Sequence, residues 1–259
     1  MLELALVTDI HYGPDNVAVK GSVAPMLLEE TLGALAQKSP DLLVDLGDRL
    51  SDVNPETDKK HLQELAALFS TWDYPREHLL GNHDLLSKDV QEALLAGSLS
   101  NRSRDIAGWH LVFLDTFNHT IAGALTNQTL EWLHQDLSAS TLPTIVFSHQ
   151  PLDGKPLLGN RFFETDFAEH AHPDNHIKAR QIMEQSGNVK LAINGHTHWN
   201  HHLKEGNIHY LSLQSLVAYK DAAATQPAVA YGFLSLKGTQ LEFEVFGHDL
   251  FKVSLELSL

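Results

Sequence analysis

Five short apolar runs in this chain each stop at a cluster of Asp, Asn, His and Gly, and this repetition constrains the fold more than any other feature of the sequence. Leu2 to Val7 feeds into Thr8-Asp9-Ile10-His11, Leu42 to Leu46 into Gly47-Asp48, and a short run near His78 to Leu80 into Gly81-Asn82-His83-Asp84. Further along, Thr144 to Phe147 leads to Ser148-His149-Gln150-Pro151, and Val189 to Ile193 leads to Asn194-Gly195-His196-Thr197-His198. Runs of this length between polar borders read as buried strands. Ligand sites of open α/β sheets lie at strand carboxyl ends, so the five clusters are expected to converge. Helices are predicted at Ala24 to Gln37, Glu56 to Phe69, Thr126 to Leu137 and Ile177 to Gln185, the last capped by Asn175. Trp109 to Leu114 reads as a further strand, and alternation in Tyr231 to Leu236, Leu241 to Phe246 and Phe251 to Leu257 predicts antiparallel hairpins. With no internal repeat or linker to mark a boundary, residues 1–259 are expected to form a single domain.

The chain has no cysteine, so any metal must be held by nitrogen and oxygen donors. Asp9, His11, Asp48, Asn82, His149, His196 and His198 supply enough of them for two divalent ions with one carboxylate shared. The spacing of Asp9-x-His11 and His196-x-His198 lets both members of each pair reach one site, because alternate side chains of an extended segment point the same way. Gly47, Gly81 and Gly195 allow sharp turns beside these donors. Acidic residues number 33 against 18 Lys plus Arg, and a formal charge of −15 argues against duplex nucleic acid as the main partner. No run approaches the roughly 20 apolar residues of a membrane helix, and the amino terminus lacks the basic segment of a secretory signal, so a soluble cytoplasmic protein is expected.

In their order and spacing, Asp9-x-His11, Gly47-Asp48, Gly81-Asn82-His83-Asp84, His149 and Gly195-His196-x-His198 resemble the motifs of the calcineurin-like metallophosphoesterases. The first motif and the short chain look most like the bacterial branch that hydrolyses cyclic nucleotides and glycerophosphodiesters. The resemblance implies a four-layer α/β/β/α sandwich built on two mixed β-sheets. It also implies one metal on Asp9, His11, Asp48 and His198 and a second on Asp48, Asn82, His149 and His196, with Asp48 bridging. A hydroxide held between the ions would attack phosphorus in line. His83 would stabilise or protonate the leaving oxygen, and Asp84 would orient that imidazole. Nitrogen and oxygen donors suit manganese, iron, cobalt and zinc alike.

Arg49 departs from the family pattern and has two readings, a contact to substrate phosphate or an ion pair with Asp52 or another acid. His201 and His202 are expected at the surface or supporting the site, and His61, His78, His110, His119, His134, His209 and His248 stand outside every cluster. The long stretch from Gln150 to His176 carries Lys155, Arg161, Phe162, Phe163, His170, His172 and His176. It reads as a substrate-facing loop, an ordinary excursion, or part of a homo-oligomer contact. A small phosphodiester, such as a cyclic nucleotide, is the expected substrate. The alternatives are a phosphomonoester, a nucleotide pyrophosphate, and a non-catalytic scaffold that binds protein. Phosphoprotein is disfavoured, because the chain reads Gly47-Asp48-Arg49-Leu50 and ends the next motif in Asp84, where protein phosphatases have Asp-Arg-Gly and Glu.

Overall fold

The computed structural model describes residues 1–117, 123–221 and 223–259; His119 lies outside them. One six-stranded sheet has the order β12-β11-β10-β1-β2-β3, formed by Phe251–Glu256, Gln240–Phe246, Tyr231–Lys237, Leu2–Val7, Leu42–Asp45 and Arg76–His78. The second has the order β4-β5-β6-β7-β9-β8, formed by Arg102–Ile106, Trp109–Leu114, Thr144–Ser148, Val189–Asn194, Ile208–Ser212 and His201–Glu205. Strands β1, β2 and β3 run parallel. So do β5, β6, β7 and β9.

Period-2 alternation divides each central strand between two cores. Leu2, Leu4 and Leu6 of β1 pack with Leu111 and Phe113 of β5 and Ile145 and Phe147 of β6, filling the space between the sheets. Ala5 and Val7 point the other way, onto α1 (Ala24–Ala36) and α2 (Pro55–Ser70). On the far side, Val112, Leu114 and Val146 meet Leu130 and Leu133 of α4 (Asn127–Ala139) and Ala179 and Met183 of α5 (His176–Ser186). The layers are therefore helix, sheet, sheet, helix, as the motif resemblance implies.

Asn54 caps α2 by accepting from the Thr57 amide at 3.0 Å, and Thr126 caps α4 in the same way from Thr129. Asn175 does not cap α5. Its side chain instead accepts from Leu125 N at 2.8 Å and donates to Leu125 O, stitching α5 to the approach to α4. A short helix, α3 (Lys88–Leu95), strand β4 and the hairpin β8-β9 are elements that the sequence patterns do not reveal. No helix of the described residues is long and apolar enough to cross a membrane.

Candidate metal centre

Parallel strands β1, β2, β3, β6 and β7 end at a common edge, and their five polar loops meet there. Two groups of donors result, all buried but the half-buried His198: Asp9, His11 and His198, and Asp48, His149 and His196. The pairs are not extended. Asp9, His11, Asp48, His196 and His198 all have left-handed backbone, with φ of 49°, 42°, 55°, 64° and 46°. Each such non-glycine residue costs on the order of 1–3 kcal/mol, which the surrounding bonds must hold in place. This corrects the expectation that Asp9-x-His11 and His196-x-His198 converge through strand alternation.

The holding bonds are specific. Asp9 N donates to Gly47 O at 2.9 Å and His11 N to Asp48 O at 3.0 Å, joining the first two loops. Thr8 Oγ1 and His196 N both donate to Asp9 Oδ2, at 2.6 and 2.9 Å, while Ser215 Oγ donates to Asp9 O at 2.7 Å. Two glycines are required by close approach: a Cβ on Gly81 would overlap Asp48 Oδ1, and one on Gly195 would overlap Thr8 Oγ1.

The donor set fits divalent ions. Atoms bound to one ion at about 2.0–2.2 Å lie roughly 3–3.6 Å from one another. His11 Nε2 is 3.1 Å from His198 Nε2, which is 3.2 Å from Asp9 Oδ1. His149 Nε2 is 3.1 Å from Asp48 Oδ2 and 3.2 Å from Asn82 Oδ1. Asp48 Oδ2 also lies 3.7 Å from His11 Nε2, so this one oxygen faces both groups. Asp9 Oδ1 is buried with no hydrogen-bond partner, an orphan that a cation would satisfy. Two of the imidazoles, His149 and His196, are oriented as ligands are, with the second nitrogen on a carbonyl. His149 Nδ1 donates to Leu46 O at 2.9 Å, and His196 Nε2 donates to His170 O at 2.9 Å.

Charge balance points the same way. Burial opposes ionisation of Asp9 and Asp48, yet the facing imidazoles hold both well below the ordinary carboxylate range. Burial likewise disfavours a charged His149, but Asp48 and Asp9 draw its pKa up to about 9. Burial and the neighbouring His149 push His196 down to about 3. Two buried carboxylates thus stay ionised and attract positive charge, whether a proton on His149 or a cation in its place.

Of the other residues singled out in the sequence, His83 belongs to this site. Its amide donates to Asp48 Oδ1 at 2.8 Å, its ring centroid lies 5.1 Å from that of His11, and it lines a cavity of about 510 Å³ over both groups. Asp84 does not orient it. Both Asp84 oxygens are occupied by the amides of Asp48, Arg49 and Gly81, each at 3.0 Å, and by Arg49 Nη2 at 2.9 Å. Nor does Arg49 reach the cavity. It is 0% exposed, paired with Asp45 at 2.8 Å and with Asp84, and bonded to Leu79 O and Gln91. The substrate-contact reading is thereby corrected to that of a buried strut, with Asp45 and Asp84 rather than Asp52 as the partners.

The Gln150 to His176 stretch does border the cavity, through Phe162, Phe163, Phe167 and His170. Its other polar residues turn elsewhere: Lys155 pairs with Glu205, His172 approaches Asp153, and Arg161 donates to Tyr219 O and Val17 O. His201 stacks on Trp199 and His202 bonds to His209, both away from the cavity. Asn16, Val19 and Ser51 also line it, without any signal in the sequence that singles them out.

Comparison with known proteins agrees with the geometry. The family model for calcineurin-like phosphoesterase matches residues 2–200. Over 202 residues the chain is 27% identical to a "Probable cyclic nucleotide phosphodiesterase" of Synechococcus sp., covering 76% of this chain and 73% of that one. Over 222 residues it is 25% identical to a "3',5'-cyclic-nucleotide phosphodiesterase" of Nostoc sp., covering 83% and 78%. The fold is similar to that of a dimetal phosphatase from Danio rerio, with a TM-score of 0.81 at 15% identity over 99% of each chain. The match of the family model across most of the sequence shows that the chain belongs to the calcineurin-like phosphoesterases, metal-dependent hydrolases of phosphate esters.

Proposed function

We propose that the protein hydrolyses a small phosphodiester, a cyclic nucleotide being the leading candidate, with two divalent ions. Asp9, His11, Asp48 and His198 would hold one ion, and Asp48, Asn82, His149 and His196 the other. The observation that carries this reading is a cavity over two donor groups, with one Asp48 oxygen facing both, in which no Lys or Arg lines the wall among the described residues. A monoester dianion brings more charge than a diester into a chain of net charge −15, and no side-chain cation meets it there. The curated relatives in Synechococcus and Nostoc, named for cyclic nucleotides, favour the same substrate class.

Bound divalent ions supply a nucleophilic water at neutral pH and neutralise charge on phosphoryl oxygens. The chain's own residues do the rest. Left-handed loops from both sheets fix the donors, which is why residues 1–259 are taken to act as one domain. His83, at the cavity wall beside His11, stabilises or protonates the leaving oxygen. The nitrogen and oxygen donors accept manganese, iron, cobalt or zinc. Phe162 and Phe163 give the organic part of the substrate an apolar wall.

Initial rates of the manganese-loaded protein on bis-p-nitrophenyl phosphate and p-nitrophenyl phosphate, at matched pH, test the assignment. A higher kcat/KM on the diester, followed by turnover of cyclic AMP, is expected. A clear monoester preference would sink the diesterase reading and leave the metal centre standing.

A further inference from the structure

Phe162 and Phe163 each lie against an imidazole of a different donor group. The Phe162 ring meets His198 edge-on, at 5.7 Å between centroids and 84° between planes. Phe163 tilts at 40° over His196, at 4.9 Å. Neither phenylalanine belongs to a helix or strand, so no backbone ladder holds this wall in place.

What holds it is Asn160. This residue is only 3% exposed, and all three of its side-chain bonds are internal. Oδ1 accepts from Phe162 N and Phe163 N, both at 2.9 Å, while Nδ2 donates to Thr197 O at 2.8 Å. Thr197 is fully buried and stands between His196 and His198, both of which have left-handed backbone. A single amide thus spans from the aromatic wall to the turn that presents one imidazole to each donor group. The position needs both an acceptor and a donor, which asparagine has and aspartate lacks.

We infer that Asn160 is a positioning residue for the reaction: it locks the Phe162-Phe163 wall onto the His196-Thr197-His198 turn, and through that wall it selects substrates with a flat or apolar substituent beside phosphorus. The selection rests on the phosphodiester reading above; the lock does not. The Arg161 guanidinium lies over the Phe162 ring at 4.9 Å but does not line the cavity, so the wall meets substrate by stacking and apolar contact rather than by charge. Because the wall would touch the retained substituent and not the reacting atoms, misplacing it changes which diester is favoured.

The test compares bis-p-nitrophenyl phosphate with methyl p-nitrophenyl phosphate, which share leaving group and charge and differ only in the retained substituent. In Asn160→Ala the wild-type preference for the aryl diester, as a ratio of kcat/KM values, should shrink about tenfold, chiefly through KM. Phe163→Ala should show the same shrinkage. Equal losses on both substrates, or none, would overturn the selection. Hydrogen exchange of the metal-free protein reads the lock without any turnover. Amides of Phe162 and Phe163 should exchange faster in Asn160→Ala than in wild type, and unchanged protection would overturn the lock. If Asn160→Ala fails to fold, Asn160→Asp decides: it keeps the acceptor for both amides and sets a carboxylate oxygen, in place of the donor, against Thr197 O, so aryl preference should fall while protection at Phe162 and Phe163 persists. Preference and protection both like wild type in that variant would contradict the inference. Should wild type hydrolyse neither diester, the phosphodiester reading has failed, and hydrogen exchange still decides the lock.

Discussion

The backbone amide of His83 donates to Oδ1 of Asp48 at 2.8 Å, which leaves Oδ2 as the oxygen that faces both donor groups. The bond comes from the main chain, so it survives loss of the imidazole. His83→Ala is therefore expected to keep its metal and to lose on the order of 10²–10⁴-fold in turnover, the scale of general acid catalysis. The loss should be smaller for p-nitrophenolate than for a poor leaving group, measured as kcat on a series of aryl alkyl diesters. Equal losses across the series would instead point to phosphoryl binding.

Gly81 lies against the other side of the same carboxylate. A methyl group there overlaps Asp48 Oδ1 and the Asp48 amide, so Gly81→Ala must shift Asp48. Displacement of a positioned group by about 1 Å costs on the order of 10²-fold. The expected result is a loss of that size together with reduced metal content by elemental analysis; normal values of both would show that the loops tolerate the shift.

Arg49 provides the contrast. Arg49→Met would leave the buried carboxylates of Asp45 and Asp84 without their guanidinium, and breaking such a pair costs roughly 3–5 kcal/mol. Urea unfolding should report a destabilisation of that order, with KM unchanged in the folded enzyme. A raised KM at unaltered stability would restore Arg49 as a substrate contact.

The two fates of Arg49 show what the sequence can and cannot convey. Asp9, His11, Asp48, Asn82, His149, His196 and His198 were legible because each interrupts an apolar run at the end where parallel strands place ligands. Nothing local says whether an arginine beside Asp48 turns toward solvent or inward. That depends on Asp45 and Asp84 lying on its inner side, and β2-β3 pairing brings them there. Strand β4 was hidden for a related reason: Arg-Ser-Arg-Asp-Ile has no apolar run, and its pairing with β5 is supported by Arg102, which packs on Phe113 and bonds Glu77. Asn160 was illegible because it is one polar residue in an irregular stretch, and its partner Thr197 lies 37 positions away.

Chelation should weaken the fold as well as the activity. Ligands that bind only the native state stabilise it by mass action, about 2.7 kcal/mol per site at a hundredfold excess over Kd. Removing metal is thus expected to lower Tm by roughly 5–10 °C for each site emptied, read by calorimetry with and without chelator. An unchanged Tm would mean that the donor groups hold no ion with useful affinity.

In the proposed centre two ions share Asp48, and metal analysis of wild type beside Asp48→Ala tests that sharing most directly. After manganese loading and desalting, wild type should carry two ions per chain and hydrolyse bis-p-nitrophenyl phosphate. Asp48→Ala should lose occupancy at both sites and all measurable turnover. Two bound ions with normal turnover in that variant would contradict the account.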